Sequence, residues 1–374
     1  MKFVHIGDLH IGKVIHQASL IDVQRELLLE LLTYMDQQDI RLLVISGDVY
    51  DRFIPSQEAV NLLDEFLSLA ILRYHIEILM ISGNHDSSDR MHFASHILSE
   101  SGLHIETYPK EEMVYVQKDQ VRFYLLPFMK PSAVKNLFGN QDIHDYEEAL
   151  RIYLSHQEID SHYQNVLITH QFVGKSSQTS ESEIPLSVGG TEIISPSLFK
   201  DFDYVALGHL HAPQSVSKET IRYCGSLMCY SFDEVNQNKS ITIVDTENWS
   251  VEQYQLHPSR SLKKYQGTFQ QLMDPAFIDK KDDYFAFVLE NDQLIPHAID
   301  QLRTLYPHLL QITYLRYDQE KEINQTVLHQ ISQTDTKTLF KNFYYEMKHQ
   351  ELSPLQEKMM DELIEEVGEE HENH

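Results

Sequence analysis

Five times in the first 215 residues, a short apolar run ends directly in a cluster of polar, chemistry-bearing side chains. Phe3–Ile6 leads into Gly7-Asp8-Leu9-His10, and Leu42–Ser46 into Gly47-Asp48-Val49-Tyr50-Asp51. Leu79–Ser82 leads into Gly83-Asn84-His85-Asp86, Val166–Thr169 into His170-Gln171, and Tyr204–Leu207 into Gly208-His209-Leu210-His211. Short runs rich in Ile, Val, Leu and Tyr suit buried strands. Glu77–Ile81 and Phe123–Leu126 are further runs of this kind. Leucines repeat at helical spacing across Leu20–Met35 and again across Ala59–Leu72. Strand–helix alternation over residues 1–245 predicts an α/β layered fold. In such sheets, sites form outside the carboxyl ends of the strands. Strands sharing one edge would bring the five clusters together.

The clusters hold the donor set of a dinuclear metal centre. Asp8 and Asp48 supply charge and can bridge; His10, His170, His209 and His211 supply imidazoles; Asn84 supplies an amide oxygen. Nitrogen and oxygen donors without thiolate favour Mn, Fe or Zn over calcium, and disfavour a structural zinc site. Glycines before Asp8, Asp48, Asn84 and His209 permit a sharp turn and close approach. D-x-H and GD-x-x-D alone are weak signals. GNHD and GH-x-H directly after a strand are stronger, and five clusters in order weigh against a purely structural reading. His5 alternates within a strand and reads as a core or edge residue. His16, His75, His92, His96 and His104 have no such setting and read as packing or surface residues.

Further along, Ile221–Cys224 and Ser240–Val244 lie close together with turn residues between, which suits hairpins. Residues 246–270 read as a linker. Tyr284–Leu289 and Ile312–Tyr317 are strand candidates around a helix candidate, Ile295–Tyr306. The expected division is a catalytic domain over 1–250, a small α+β accessory domain over 251–330, and an amphipathic helical tail over 331–374. In the tail, Leu339, Phe340, Phe343, Tyr344 and Met347 share one helical face. Ser353-Pro354 with Gln356 starts a second helix, whose face is Leu355, Met359, Leu363 and Val367. These faces suit packing on their own domain or docking onto a partner's helices.

Composition narrows the setting. An apolar fraction of 42% excludes disorder throughout. No apolar run approaches the ~18 residues of a membrane span, and MKFVHIGDLH lacks a secretory h-region, so no membrane association is expected. Cys224 and Cys229 cannot build a disulfide framework, and a reduced cytoplasmic setting fits them. With 30 basic and 57 acidic residues the net charge is -27, which argues against gripping nucleic acid by bulk charge.

The ordered set D-x-H, GD-x-x-D, GNHD, TH and GH-x-H resembles the calcineurin-like metallophosphoesterase superfamily. Neighbouring residues narrow the resemblance to its SbcD family of DNA nucleases. They are Asp8-Leu9-His10-Ile11-Gly12-Lys13, the Ser87, Arg90 and Phe93 that follow Asn84-His85-Asp86, the segment 180–192, Phe202–His211, and Gly225-Ser226. The resemblance is strong over residues 1–245 and covers the remainder by layout only. It implies two packed β-sheets flanked by helices, with a small capping domain and C-terminal helices. It implies two divalent ions, Mn2+ foremost, with Mg2+ or Fe as alternatives. One ion would take Asp8, His10, Asp48 and His211; the other would take Asp48, Asn84, His170 and His209, with Asp48 bridging. His85 would be the catalytic residue, orienting the scissile phosphate or protonating the departing 3′ oxygen. Asp51 and Asp86 would support the ligands from behind.

The implied reaction is metal-dependent DNA phosphodiester hydrolysis in repair and recombination. It would be 3′-to-5′ exonucleolytic on duplex ends and endonucleolytic on single strands or hairpins. The implied partners are DNA, a second copy of the chain, and an SbcC-type coiled-coil ATPase docked on residues 336–367, forming a heterotetramer in the cytoplasm at the nucleoid. Asp51-Arg52 is followed by Phe53, and Asn84-His85 by Asp86, which counts against a serine/threonine protein phosphatase. The rival reading is a small-molecule phosphodiesterase or nucleotide hydrolase on the same fold. A non-catalytic scaffold is disfavoured, because all seven proposed ligands and His85 are present.

Overall fold

Burial converts the apolar runs into strands, and helices cover them. The computed structural model describes residues 1–139, 142–174, 180, 183, 193–316, 344 and 356. The first stretch holds β1 (Lys2–Ile6), a small hairpin of β2 (Val14–Ile15) and β3 (Ala18–Ser19), α1 (Ile21–Gln37), β4 (Leu42–Ile45), α2 (Gln57–Ser68) and β5 (Glu77–Ile81). Next come α3 (Ser88–His92), α4 (Ser95–Ser99), β6 (Leu103–Glu106), β7 (Tyr115–Lys118), β8 (Val121–Leu126), α5 (Pro131–Phe138), α6 (Tyr146–Ser155) and β9 (Gln164–His170). The last stretch holds β10 (Tyr204–Gly208), β11 (Gln214–Val216), β12 (Lys218–Tyr223), β13 (Ile241–Asp245), β14 (Ser250–Tyr254), β15 (Leu262–Gly267), α7 (Phe269–Leu272), β16 (Tyr284–Leu289), α8 (Ala298–Arg303) and β17 (Leu309–Tyr314).

Two six-stranded sheets form, in the orders β14-β13-β1-β4-β5-β6 and β11-β12-β10-β9-β8-β7. In the first, β1, β4, β5 and β6 run parallel and β13 and β14 pair antiparallel at one margin; in the second, β12, β10, β9 and β8 run parallel and β11 and β7 pair antiparallel at the two margins. Side chains alternate between the faces of a strand. One face of the first sheet sends Phe3, Leu42, Val44, Leu79 and Ile81 against Val121, Phe123, Leu125, Val166 and Ile168 of the second. The rings of Phe3 and Phe123 meet edge to face, centroids 5.3 Å apart. The other face of the first sheet packs Val4, Ile6, Leu43 and Ile45 with Leu27, Leu31 and Leu62 from α1 and α2. The other face of the second packs Tyr124, Leu167 and Val205 with Val134, Leu150 and Tyr153 from α5 and α6. Each fully buried side chain of this kind contributes about 1.5–3 kcal/mol. Helix caps fix where α2 and α6 begin: Ser56 Oγ accepts from Ala59 N, and Asp145 Oδ1 from Glu148 N. The helix–sheet–sheet–helix sandwich is the fold that the family resemblance implies.

By compactness the chain divides into a larger unit (Met1–Tyr265, Ile278–Ala286, Ile299–Gln311) and a smaller one (Gln266–Phe277, Phe287–Ala298, Ile312–His374). In the smaller unit, Thr268 and Gln271 cap α7 reciprocally, and Phe269 N donates to Asn291 Oδ1 at 2.8 Å. β15, β16 and β17 form a three-stranded sheet in that order.

Three local expectations are corrected. β12 and β13 do not pair with each other: β12 forms its hairpin with β11 in the second sheet, and β13 with β14 in the first. Residues 246–270, read as a linker, hold β14 and β15. The strand expected at Ile312–Tyr317 lies earlier, at Leu309–Tyr314. The helical tail apart from Tyr344 and Gln356, residues 317–330, and segment 180–192 apart from Ser180 and Glu183 lie outside the described residues.

Candidate metal centre

Strands β1, β4 and β5 deliver Asp8, His10, Asp48, Asn84, His85 and Asp86 in the loops that follow them. Strand β9 ends on His170, and β10 leads into His209 and His211. These loops turn sharply, and their backbone is strained accordingly. Asp8, His10, Asp48 and His209 all have positive φ, at 50°, 41°, 49° and 110°. Such residues cost on the order of 1–3 kcal/mol and concentrate at functional sites. Two glycines permit the approach. A Cβ on Gly83 would lie 2.1 Å from Asp48 Oδ1, and one on Gly208 would lie 2.0 Å from the Ser46 carbonyl oxygen.

The seven proposed ligands converge. Asp8, His10 and His211 place donor atoms within 4.8 Å of one another, as do Asp8, Asp48 and His170, and also His10, Asp48 and His85. Asp48 Oδ2 lies 3.4 Å from His170 Nε2 and 3.7 Å from His10 Nε2. Asn84 Oδ1 lies 3.0 Å from His170 Nε2 and 3.2 Å from His209 Nδ1. Nε2 of His10 and Nε2 of His211 face each other at 3.1 Å. Both carboxyl oxygens of Asp8 accept from His209 N, at 2.9 and 3.1 Å, tying the two sheets together. Asp8, His170, His10 and His211 are buried, as are Asp48 and His209.

The groups behind the ligands are equally specific. Asp86 accepts from Gly83 N (2.8 Å), Tyr50 N (2.9 Å) and Val49 N (3.1 Å), so it fixes the turn and joins the β4 and β5 loops. Asp51 acts twice. Its carbonyl oxygen lies 3.0 Å from His85 Nδ1, and its carboxylate pairs with Lys13 Nζ at 2.8 Å. His85 N donates to Asp48 Oδ1 at 2.9 Å. The motif reading did not identify Glu234, whose Oε1 lies 3.0 Å from His211 Nδ1, or Lys239, which pairs with Glu234 at 2.6 Å. No pattern at 234 or 239 marks them in sequence. Glu183, quoted only within a motif segment, accepts from His211 N at 2.7 Å. His5 is fully buried, bonded to Ser46 Oγ and Tyr204 Oη, as a core histidine.

Burial and mutual charge displace the protonation of this cluster in opposite directions. Burial pushes the Asp8 carboxyl up to about 7 against neighbouring imidazoles. Burial also pushes Asp86 up to about 6, helped by the charge of Asp48. Asp48 is held well below the carboxylate range, because the charge and hydrogen bond of His170 outweigh its burial. Asp48 in turn raises His170 to about 9 against the pull of burial. Burial drives His209 down to about 3 and lowers His10 as well. Carboxylate and imidazole donors thus crowd one buried pocket and perturb one another strongly. The mixed carboxylate, imidazole and amide set fits divalent Mn, Fe, Zn or Mg.

Residues 1–213 match the calcineurin-like phosphoesterase family, and residues 258–348 match the family described as a type 5 capsule protein repressor C-terminal domain. The chain is 34% identical over 370 residues to the SbcD component of nuclease SbcCD from Staphylococcus epidermidis, covering 97% of this chain and 98% of that one. It is 30% identical over 369 residues to the SbcD component of nuclease SbcCD from Staphylococcus saprophyticus, with the same coverage. Among solved structures, TT1561 of Thermus thermophilus gives a TM-score of 0.40 at 11% identity, over 68% of this chain and 99% of that one. A dimetal phosphatase from Danio rerio gives 0.37 at 10% identity, over 65% and 91%.

Proposed function

This chain belongs to the calcineurin-like phosphoesterase family and to its SbcD nucleases, and from that membership we propose how its residues hydrolyse DNA. The protein is a metal-dependent DNA nuclease. The observation that carries the residue assignment is the convergence of seven donor side chains where the two sheets meet. On our reading Asp8, His10, Asp48 and His211 hold one divalent ion and Asp48, Asn84, His170 and His209 the other, with Mn2+ the expected metal. When bound, the ions lower the pKa of a water molecule and neutralise charge on the phosphate.

The remaining work falls to the chain itself. Asp48, at the centre, faces both ligand groups and anchors the His85 backbone. A carbonyl oxygen only accepts, so the Asp51 carbonyl keeps a proton on His85 Nδ1. Nε2 of His85 then faces Asp48 Oδ2 at 4.0 Å, toward the reaction space. Protonated, its Nε2–H donates to a phosphate oxygen and passes that proton to the departing oxygen. Lys13, held by the Asp51 carboxylate, adds a cation on the His10 side of the centre in an otherwise acidic protein.

Finer features complete the proposal. Cleavage proceeds 3′-to-5′ from duplex ends and endonucleolytically at hairpins. A second copy covers the exposed Phe93 (82%) and Ile97 (74%). Residues 336–367 dock an SbcC-type ATPase in the cytoplasm. No helix among the described residues is long and apolar enough to cross a membrane. The test is a manganese-dependent assay on duplex ends, hairpins and cyclic nucleotides, with and without the ATPase. DNA should be cut and cyclic nucleotides spared; the reverse preference overturns the reading. Deleting residues 336–374 should preserve cleavage of short single strands and abolish co-purification with the ATPase. Retained binding would sink the docking assignment.

A further inference from the structure

The imidazoles of the centre are held from behind in two different ways. His170 Nδ1 lies 2.8 Å from the Ser46 carbonyl oxygen, and His85 Nδ1 lies 3.0 Å from that of Asp51. Both supports are neutral backbone dipoles. His211 Nδ1 is supported instead by the carboxylate of Glu234, at 3.0 Å. Glu234 is 0% exposed. Three nitrogens surround its carboxylate: His211 Nδ1, Tyr230 N at 3.1 Å and Lys239 Nζ at 2.6 Å. Lys239 also grips the other side of the ligand, donating to the His211 carbonyl oxygen at 2.8 Å and to Ser226 Oγ at 2.8 Å. Ring and backbone of His211 are thus locked by one buried ion pair.

A carboxylate among nitrogen donors accepts from all of them, so His211 carries its proton on Nδ1. Its Nε2 lone pair is then aimed at the space shared with His10 Nε2, 3.1 Å away, and with Asp8. A carboxylate behind a ligating imidazole fixes its orientation and raises its basicity. The arrangement is costly for folding alone. The mutual attraction of a buried ion pair offsets its desolvation only in part, and well-packed apolar residues often serve stability better. Its direct hydrogen bond to a ligand's ring points to a role in the centre; the Asp51–Lys13 pair near His10 stays 3.8 Å from that ring's Nδ1.

We propose that Glu234, clamped by Lys239, is a positioning residue that fixes His211 for the ion held with Asp8 and His10, and makes that ion the more tightly bound of the two. The inference rests on the ligand assignment proposed above. The test is Mn2+ titration of the full-length protein, followed by calorimetry and by the paramagnetic signal of free Mn2+. The unaltered protein should bind two ions. Glu234→Ala should weaken the tighter ion by about 10- to 100-fold and leave the other within about twofold. Its nuclease half-saturation by Mn2+ should rise in parallel, with activity recovering at high Mn2+. Glu234→Gln, which keeps the shape without the charge, and Lys239→Met should shift the same ion to a smaller extent. They decide the question if Glu234→Ala does not fold. A merely structural role would lower the melting temperature and leave both affinities intact. Unchanged affinities in a folded variant, or equal weakening of both ions, overturns the inference. Asp48→Ala separates the two levels. Loss of ions in Asp48→Ala with none lost in the Glu234 variants overturns only the role of Glu234. Two ions retained in Asp48→Ala overturn the ligand assignment itself.

Discussion

The two sheets contribute unlike chemistry to one centre. Of the seven proposed ligands, the first sheet supplies the three oxygen donors, Asp8, Asp48 and Asn84, together with one imidazole, His10. The second supplies nitrogen only, from His170, His209 and His211. Three of the four first-sheet donors sit on left-handed backbone, against one of three in the second. The difference is one of reach: Asp8, His10 and Asp48 lie in turns beyond their strands, whereas His170 is the last residue of β9 itself. Each sheet alone would be unbalanced: the first rich in anion, the second rich in base. Packed together, they set the low carboxyl of Asp48 against the raised imidazole of His170.

The deepest break in this division should come from its most central oxygen donor. Asp48→Ala removes the carboxylate that faces both ligand groups, and nuclease activity should fall on the order of 10³-fold or more, since metal stabilisation is worth several kcal/mol. Turnover with plasmid or duplex substrate checks it, and activity within tenfold of the parent would contradict the bridging role. On the proposed roles, His85 adds proton chemistry to a centre that both sheets have already assembled. His85→Ala should therefore cut turnover by about 10²- to 10⁴-fold, while Mn2+ titration still counts two ions; loss of an ion would reassign His85 as a ligand.

The apolar seam between the sheets is tested by Phe123→Ala, which empties a fully buried site against Phe3. The expected cost is about 3–5 kcal/mol, read from urea unfolding. An effect under about 1 kcal/mol would mean that the seam repacks. The smallest effect concerns His5, which sits in the same seam. Burial, aided by the charge of Arg222, lowers it from 6.5 to about 3. The unfolded chain takes up that proton near pH 6.5, and the folded chain resists until about pH 3. Stability is therefore full at neutral pH and declines as pH falls through this window, by at most about 1.4 kcal/mol per pH unit. Comparing urea midpoints at neutral pH and near pH 5 should show a shallower decline in His5→Asn than in the parent.

Much of the contrast was legible in sequence, for physical reasons. Parallel strands buried on both faces read as unbroken apolar runs, so β1, β4, β5, β9 and β10 stood out, and so did the clusters that follow them. Strand partners were harder. Nothing local to β12 or β13 states which sheet each one joins, and only tertiary packing separates them. β14 mixes exposed and half-buried residues along its length, so its polarity masks it. Glu234 was unreadable for a related reason. Its meaning lies in His211, 23 residues earlier, and in a lysine that reaches both. A lone acidic residue opening a single 3-10 turn carries no such signal.

The direct bond from His209 N to Asp8, and the crowding of both sheets' donors around Asp48, have a mechanical consequence. An ion shared between two layers is a latch as well as a reagent. Prying the layers apart requires giving up the cation, so its concentration enters the unfolding equilibrium directly. At a hundredfold excess over its dissociation constant, one ion adds about 2.7 kcal/mol to the closed state. With the ligands as proposed, the same nuclease should therefore be sturdier where its divalent metal is plentiful than where it is scarce, because its substrate-cutting centre would also be the clasp between the two layers.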